Sequence, residues 1–303
     1  MRIASSHYHN TMNTALQTAS ARVGEVLQQM ASGQRLMVPS DDPVRQVRVS
    51  RLQREDAAIG QYRDNIGALQ SRLSQNEALL GSMTQDMLQA RDLLVWASNG
   101  GNTAEDVAAM ADAMSALRDS LYYSANSRDQ EGRYMFSGTA TATPAVALDT
   151  GAAAGARYSF GGNTVTQKVM VGNGITQPAN VNVSDLHELL NLLDLTVETL
   201  RTPGASVADP VTRDTLRNTL DGLDVTLGTV GDRIASLGGA QNILETLDGN
   251  HENVSLANQQ ALIDLGQLDY GDAAVRLNGY TTALQATQKA YGQVSRLSLF
   301  DAL

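Results

Sequence analysis

The 303-residue chain contains no cysteine, which excludes disulfides, thiolate metal sites and cysteine nucleophiles. Aromatic residues are scarce at 4%, with Trp96 the single tryptophan, so the large rings that usually fill a globular core are missing. No segment is long and apolar enough to span a bilayer. The opening run Met1-Arg2-Ile3-Ala4-Ser5-Ser6-His7-Tyr8-His9-Asn10 lacks the apolar centre of a secretory signal. A protein with such a start that works outside the cell has to leave by a route that keeps its N-terminus. Positive charge is also short: a net charge of −10 argues against a general nucleic-acid binder. The shortage is uneven, since residues 1–54 carry seven arginines against Glu25, Asp41 and Asp42 and are net positive by four. Such an arm either touches an anionic surface or forms a solvated helix face.

Ala, Leu, Gln, Asp and Arg carry the sequence instead, a composition that suits long helices with narrow apolar seams. Met12, Leu16, Ala19, Val23, Val26 and Met30 alternate spacings of four and three, which is a heptad seam. Gly33 is placed to end that helix. Pro39-Ser40-Asp41-Asp42-Pro43 then offers three N-cap residues and a proline for the first turn of the next helix. Leu52, Ile59, Ile66, Leu73, Leu80, Met87 and Leu94 recur every seven residues, and Tyr62, Leu69, Asn76, Met83, Ala90 and Ala97 follow three behind. No proline interrupts 44–98, so a rod of about 80 Å is predicted. Asn76 is a candidate register-setting polar residue on that seam.

A third helix is predicted from the Thr103 cap to about Glu131, antiparallel to the second. Residues 139–184 are rich in Gly, Ala, Thr and Val and read as a small β domain, with a hairpin of 156–160 and 164–171 around Gly161-Gly162-Asn163. Helical pattern returns over 185–200 and from about Asp209, where Gly238-Gly239 is a possible kink or close-packing point. A final seam comprises Tyr270, Ala273, Leu277, Tyr280, Leu284, Thr287, Tyr291 and Val294, ending in Leu297-Ser298-Leu299-Phe300-Asp301-Ala302-Leu303. The fold expected is mainly α, a long antiparallel helical bundle or coiled coil with terminal helices and a small inserted β domain. Its domains are a terminal coiled coil (1–42 with 265–303), a long-helix shaft (43–138 with 185–264) and a β-rich outer domain (139–184).

Chemistry is hard to find. His7 and His9 form at best a weak metal pair, and alternate residues near a chain end are usually solvated. Asp41-Asp42 lacks the spaced oxygen ligands of a calcium loop. The glycine pairs match no phosphate loop and read as β turns. No catalytic, cofactor-binding or metal residues are assigned, and the chain is read as a non-enzyme without membrane insertion.

Several blocks, in order, resemble the flagellin superfamily, and most closely its hook-associated protein 3 branch. They are Arg22 through Arg35 with its Ser-Gly-Gln-Arg turn, Pro39-Ser40-Asp41-Asp42-Pro43, Gln61-Tyr62-Arg63-Asp64-Asn65, Tyr134-Met135-Phe136-Ser137-Gly138, Val230-Gly231-Asp232-Arg233 and the Ser-Leu-rich end. The resemblance implies a structural subunit at the hook–filament junction, exported through the flagellar type III channel without a cleaved signal and working extracellularly. It implies hook-associated protein 1, flagellin, further copies of the chain, and a cytoplasmic export chaperone on the C-terminal helix as partners. The assembly interface expected comprises Met12, Leu16, Ala19, Val23, Val26, Met30, Tyr270, Leu277, Tyr280, Leu284, Tyr291, Val294, Leu297, Leu299 and Phe300, with a motif turn of Gly33, Arg35, Pro39, Ser40, Asp41, Asp42 and Pro43. Filament flagellin and a cytoplasmic coiled-coil adaptor stand as the alternative readings.

Overall fold

The computed structural model describes residues 2–35, 37–38, 40 and 42–300, with the side chains of 2–6, 8, 104 and 294–300 outside that description. Among the described residues there are six helices: α1 (Arg2–Ser32), α2 (Pro43–Ala97), α3 (Ala104–Ala125), α4 (Leu186–Arg201), α5 (Pro210–Gly266) and α6 (Tyr270–Phe300). Four short strands lie between α3 and α4: β1 (Val146–Leu148), β2 (Tyr158–Phe160), β3 (Lys168–Gly172) and β4 (Ile175–Pro178). This is the mainly α architecture with a small β insertion that the periodicities predict. The chain divides into two compact units, residues 1–58 with 253–303 (unit 1) and residues 59–252 (unit 2).

Unit 2 holds the large core. Ile66, Leu73, Leu80, Met87 and Leu94 of α2 are buried, as are the companions Leu69, Met83, Ala90 and Ala97. On α5, Leu216, Leu223, Val230, Leu237 and Leu244 repeat the same seven-residue period and are buried too. Burying each large apolar side chain contributes about 1.5–3 kcal/mol, and two such stripes explain why helices of this length stay folded. The companion row on α5 is threonine rather than leucine: Thr212, Thr219 and Thr226 are buried. Thr219 and Thr226 satisfy their hydroxyls by donating to carbonyls four residues back, both at 2.9 Å. Arg63–Asp248, Glu77–Gln241 and Arg91–Asp224, each at 2.9 Å, run along the antiparallel pair.

Helices α3 and α4 cover this pair. The Thr103 hydroxyl accepts the Asp106 amide, and the Asp106 carboxylate accepts the Thr103 amide, a reciprocal cap. The Thr103 amide, joined by the Thr103 hydroxyl at 2.9 Å, holds the Asp106 carboxyl below the usual carboxylate range. Among the described residues the most buried ionisable group is Asp194 on α4, at 1% exposure. It accepts Arg118 of α3 at 2.8 Å, Arg157 beside β2 at 3.1 Å and the Gly155 amide at 3.2 Å. One carboxylate thus fastens α4 to α3 and to the β segment.

Three sequence expectations are corrected here. α3 stops at Ala125 rather than near Glu131, because the Asn126 amide turns back to Tyr122 and Tyr123 and an Asp129-centred turn takes over. The 156–160 segment does not pair with 164–171. β2 pairs with β1, and β3 pairs with β4, both antiparallel. Gly161-Gly162-Asn163 instead packs on Ser137-Gly138: Gly138 has φ +72°, and a Cβ there would lie 2.0 Å from the Asn163 carbonyl oxygen. Gly238-Gly239 interrupts nothing, since α5 runs on to Gly266 and a Cβ at either glycine would meet nothing within 4 Å.

Candidate assembly surface

Unit 1 places the two terminal seams against one another. The Met12, Leu16, Ala19, Val23 and Met30 side chains are half-buried, and Val26 is buried. Facing them on α6, Ala273 is buried, and Leu277, Tyr280, Leu284 and Tyr291 are half-buried. The helices run antiparallel: His9 Nδ1 lies 3.2 Å from the Tyr291 hydroxyl, with an edge-on ring contact at 5.6 Å, while Arg22 sits over the Tyr280 ring at 5.9 Å. Tyr270 behaves differently. Its ring is 52% exposed, and its hydroxyl donates to the Met30 carbonyl at 3.2 Å. The side chains of Val294, Leu297, Leu299 and Phe300 lie outside the described residues.

The buried cluster in this unit is small, comprising Val26, Leu268 and Ala273 with Met30, Leu277 and Tyr280 packed on it. Beside it, a groove of about 730 Å³ opens along α1, lined by Thr11, Thr14, Ala15, Thr18 and Arg22 with Tyr280 and Ala283 of α6. The threonines turn their hydroxyls to the carbonyls of His7, Asn10 and Thr14, which satisfies those hydroxyls within α1 itself.

The motif turn closes α1 and ties its end to the α5–α6 connection. Gly33 has φ +69°, and its amide donates to the Gln29 carbonyl at 2.9 Å, the left-handed helix stop that a side chain would strain. Gln34 and Gln267 form an antiparallel bridge, with the Arg35 amide on the Gly266 carbonyl at 2.9 Å and the Leu268 amide on the Gly33 carbonyl at 3.0 Å. The Gln29 side chain adds a bond to the Arg35 carbonyl at 3.1 Å. Of the three candidate caps, Asp42 starts α2: its carboxylate accepts the Arg45 amide at 3.0 Å and pairs with the Arg45 guanidinium. Pro43 opens the helix and Ser40 is exposed, whereas Pro39 and Asp41 lie outside the described residues.

Sequence reasoning missed Leu268, which fills the cluster from a three-residue connection too short to show a period. It also missed the His9–Tyr291 and Arg22–Tyr280 contacts, which join positions more than 250 residues apart and leave no local signal. Among the described residues, no group of three or more His, Asp or Glu is gathered to hold a metal, and no helix is long and apolar enough to cross a membrane.

Unit 1 pairs two terminal helices along a thin seam, and unit 2 buries long heptad stripes; both are the architecture of a helical structural subunit. The model of the bacterial flagellin N-terminal helical region matches residues 3–141. Flagellar hook-associated protein 3 of Escherichia coli K12 is 30% identical over 294 residues, covering 90% of each chain. Its Salmonella typhimurium counterpart is 27% identical over 319 aligned residues, covering 99% of each. A flagellar hook-associated protein structure from Vibrio parahaemolyticus superposes with a TM-score of 0.68 at 30% identity, covering 75% of this chain and all of that one. The chain belongs to the flagellin family, in its hook-associated protein 3 branch.

Proposed function

We propose that this flagellar structural subunit works at the hook–filament junction by completing its terminal seams with neighbouring chains. The observation that carries the reading is the contrast within α1 and α6. Their seam positions match the heptad register, yet Val26 and Ala273 are the only seam positions among the described residues that reach full burial. An α-helical seam left half-covered by one partner gains further burial from a third helix.

In this reading, residues 1–42 and 265–303 form the assembly domain, 43–138 with 185–264 the shaft, and 139–184 an outward-facing domain. The chain catalyses no reaction and takes no cofactor. It is exported through the type III channel without signal cleavage and acts outside the cell. Hook-associated protein 1, flagellin and further copies of the chain are its neighbours there, and an export chaperone covers the α6 stripe beforehand. Its mechanical role is to fit a bendable hook to a rigid filament.

A null strain tests this. It should carry hooks without filaments and release unpolymerised flagellin into the medium. Normal filaments on such a strain would refute the junction role.

A further inference from the structure

A groove in unit 2 and a strip in unit 1 carry complementary chemistry that the terminal seams do not use. The groove, about 510 Å³, lies between α2 and α3 and is lined by Gln89, Asp92, Leu93, Trp96, Ala113 and Leu117. Trp96 leaves 56% of its surface exposed, an unusual placement for the only indole in the chain. Asp92 is exposed and makes no ion pair among the described residues, whereas the adjacent Arg91 is engaged by Asp224 at 2.9 Å. The groove is therefore apolar and aromatic, with one free carboxylate at its wall.

The strip is the start of α2. Val44 and Val47 are 79% and 68% exposed, and Arg48 and Arg51 are exposed beside them. Spacings of three, four and seven put these four residues on one helix face. Neither arginine joins an ion pair among the described residues, although Arg45 next to them is held by Asp42 at 3.0 Å. Residues 43–54 contain four arginines and no acid, while unit 2 has twelve Lys and Arg against twenty-three Asp and Glu.

We propose that this strip docks in the Trp96 groove of a second copy of the chain. An Arg48 or Arg51 guanidinium lies over the indole beside Asp92, and Val44 and Val47 cover the apolar wall. Trp is the strongest ring partner for a guanidinium, and Trp and Arg are the residues that most often dominate interface energy. The second copy is favoured because the chain itself supplies both halves, a basic strip and a groove on a strongly acidic unit. Two different patches joined head to tail propagate into a ring or a helical stack. The contact deepens the assembly reading above and rests on it, but it involves neither α1 nor α6.

The single tryptophan reports on the contact directly. Trp96 emission of the full-length chain is followed over a concentration series, with association measured in parallel by sedimentation velocity. The emission should move to shorter wavelength as copies associate. The midpoint should shift to about tenfold higher concentration in Arg48→Glu/Arg51→Glu and in Asp92→Arg, and mixing those two variants should restore it. All three positions are exposed, so circular dichroism should show unchanged folding. An indole that stays solvated while the chain associates, variants that associate like the parent, or no association at all would overturn the proposal. A shift seen only when flagellin or a hook component is added would overturn the second copy as occupant. Leu284→Asp in α6 should leave the shift in place while blocking incorporation into flagella, which separates failure of this contact from failure of the tail reading.

Discussion

The same helix has two fates along its length. In unit 2, the inward positions of α2 from Ile66 to Ala97 are at most 3% exposed. In unit 1, its seam position Leu52 is half-buried, and Val44 and Val47 face solvent. Leu52 keeps the seven-residue register of the buried row, and there the number of packing partners changes; Val44 and Val47 lie off that register, whose continuation falls on Arg45 and Arg48. Unit 2 adds α3, α4 and the β strands to the α2–α5 pair, whereas the terminal helices meet along a single seam. A heptad pattern therefore fixes which face turns inward, and only the surrounding elements decide how completely it is buried. On this account unit 2 is stable alone and the terminal pair is the part that gains most from neighbours.

The sharpest break of that comparison is removal of one terminal seam. Deleting residues 284–303 should abolish incorporation into flagella outright, because α1 then loses Leu284 and Tyr291 as partners. The thermal transition of unit 2, followed by circular dichroism, should stay where it was, since none of its core comes from α6. Filaments growing on cells that carry only the truncated chain would show that the half-covered seams are not the assembly surface.

The next effect lies wholly inside unit 2. Asp194→Ala leaves Arg118 and Arg157 facing a buried gap, and removing one partner of a buried charge cluster costs about 3–5 kcal/mol. Urea denaturation should register that loss as a lower midpoint. Leu284→Ala, a larger truncation by volume but on the half-covered seam, should leave the same transition unmoved. If the two variants weakened unit 2 equally, the division into a self-sufficient body and a conditional end would fail.

Asn76 sharpens the comparison in the opposite direction. It is fully buried on the α2 seam, and neither its amide oxygen nor its nitrogen has a hydrogen-bond partner among the described residues. An unpaired buried polar group costs about 1–3 kcal/mol, so Asn76→Leu should raise the urea midpoint of unit 2. A variant that is no more stable would mean that the amide is satisfied in solution.

Much of this was legible in the sequence, for identifiable reasons. The unbroken recurrence from Leu52 to Leu94 and the absence of proline marked α2, and Gly33 and the cap candidates Ser40, Asp41 and Asp42 marked the boundary before it through chemistry that acts within one turn. The terminal seams were legible in register because each is itself periodic. Strand pairing was not. Gly161-Gly162-Asn163 has hairpin composition, but its glycines serve a close approach to Ser137-Gly138, a contact 24 residues distant in sequence. The Asp194 cluster was equally silent, since Arg118 and Arg157 approach from two segments and no spacing connects them. The threonine row of α5 was hidden because Thr219 and Thr226 count as polar until their hydroxyls are seen bonded to their own helix.

The smallest expected effect concerns how the α2–α5 pair responds to acid. Arg63 donates to Asp248 at 2.9 Å, and this bond, against the opposing pull of partial burial, holds the Asp248 carboxyl below the usual carboxylate range. Its folded pKa is thus depressed relative to the unfolded chain. The stabilisation is present in full above the unfolded value, about pH 4, and is lost as pH falls through the folded value. Wild type should exceed Asp248→Asn in stability by a constant margin from neutral pH down to about pH 4, and the margin should close below that. Because both side chains are about one-third exposed, salt should shrink the margin at every pH. Among the described residues no ion pair joins α1 to α6, so acid in that same low range has no equivalent bond to remove from the terminal pair. Hydrogen exchange compared across this pH range would therefore show unit 2 losing protection around Arg63 and Asp248 while the α1–α6 pairing keeps its own.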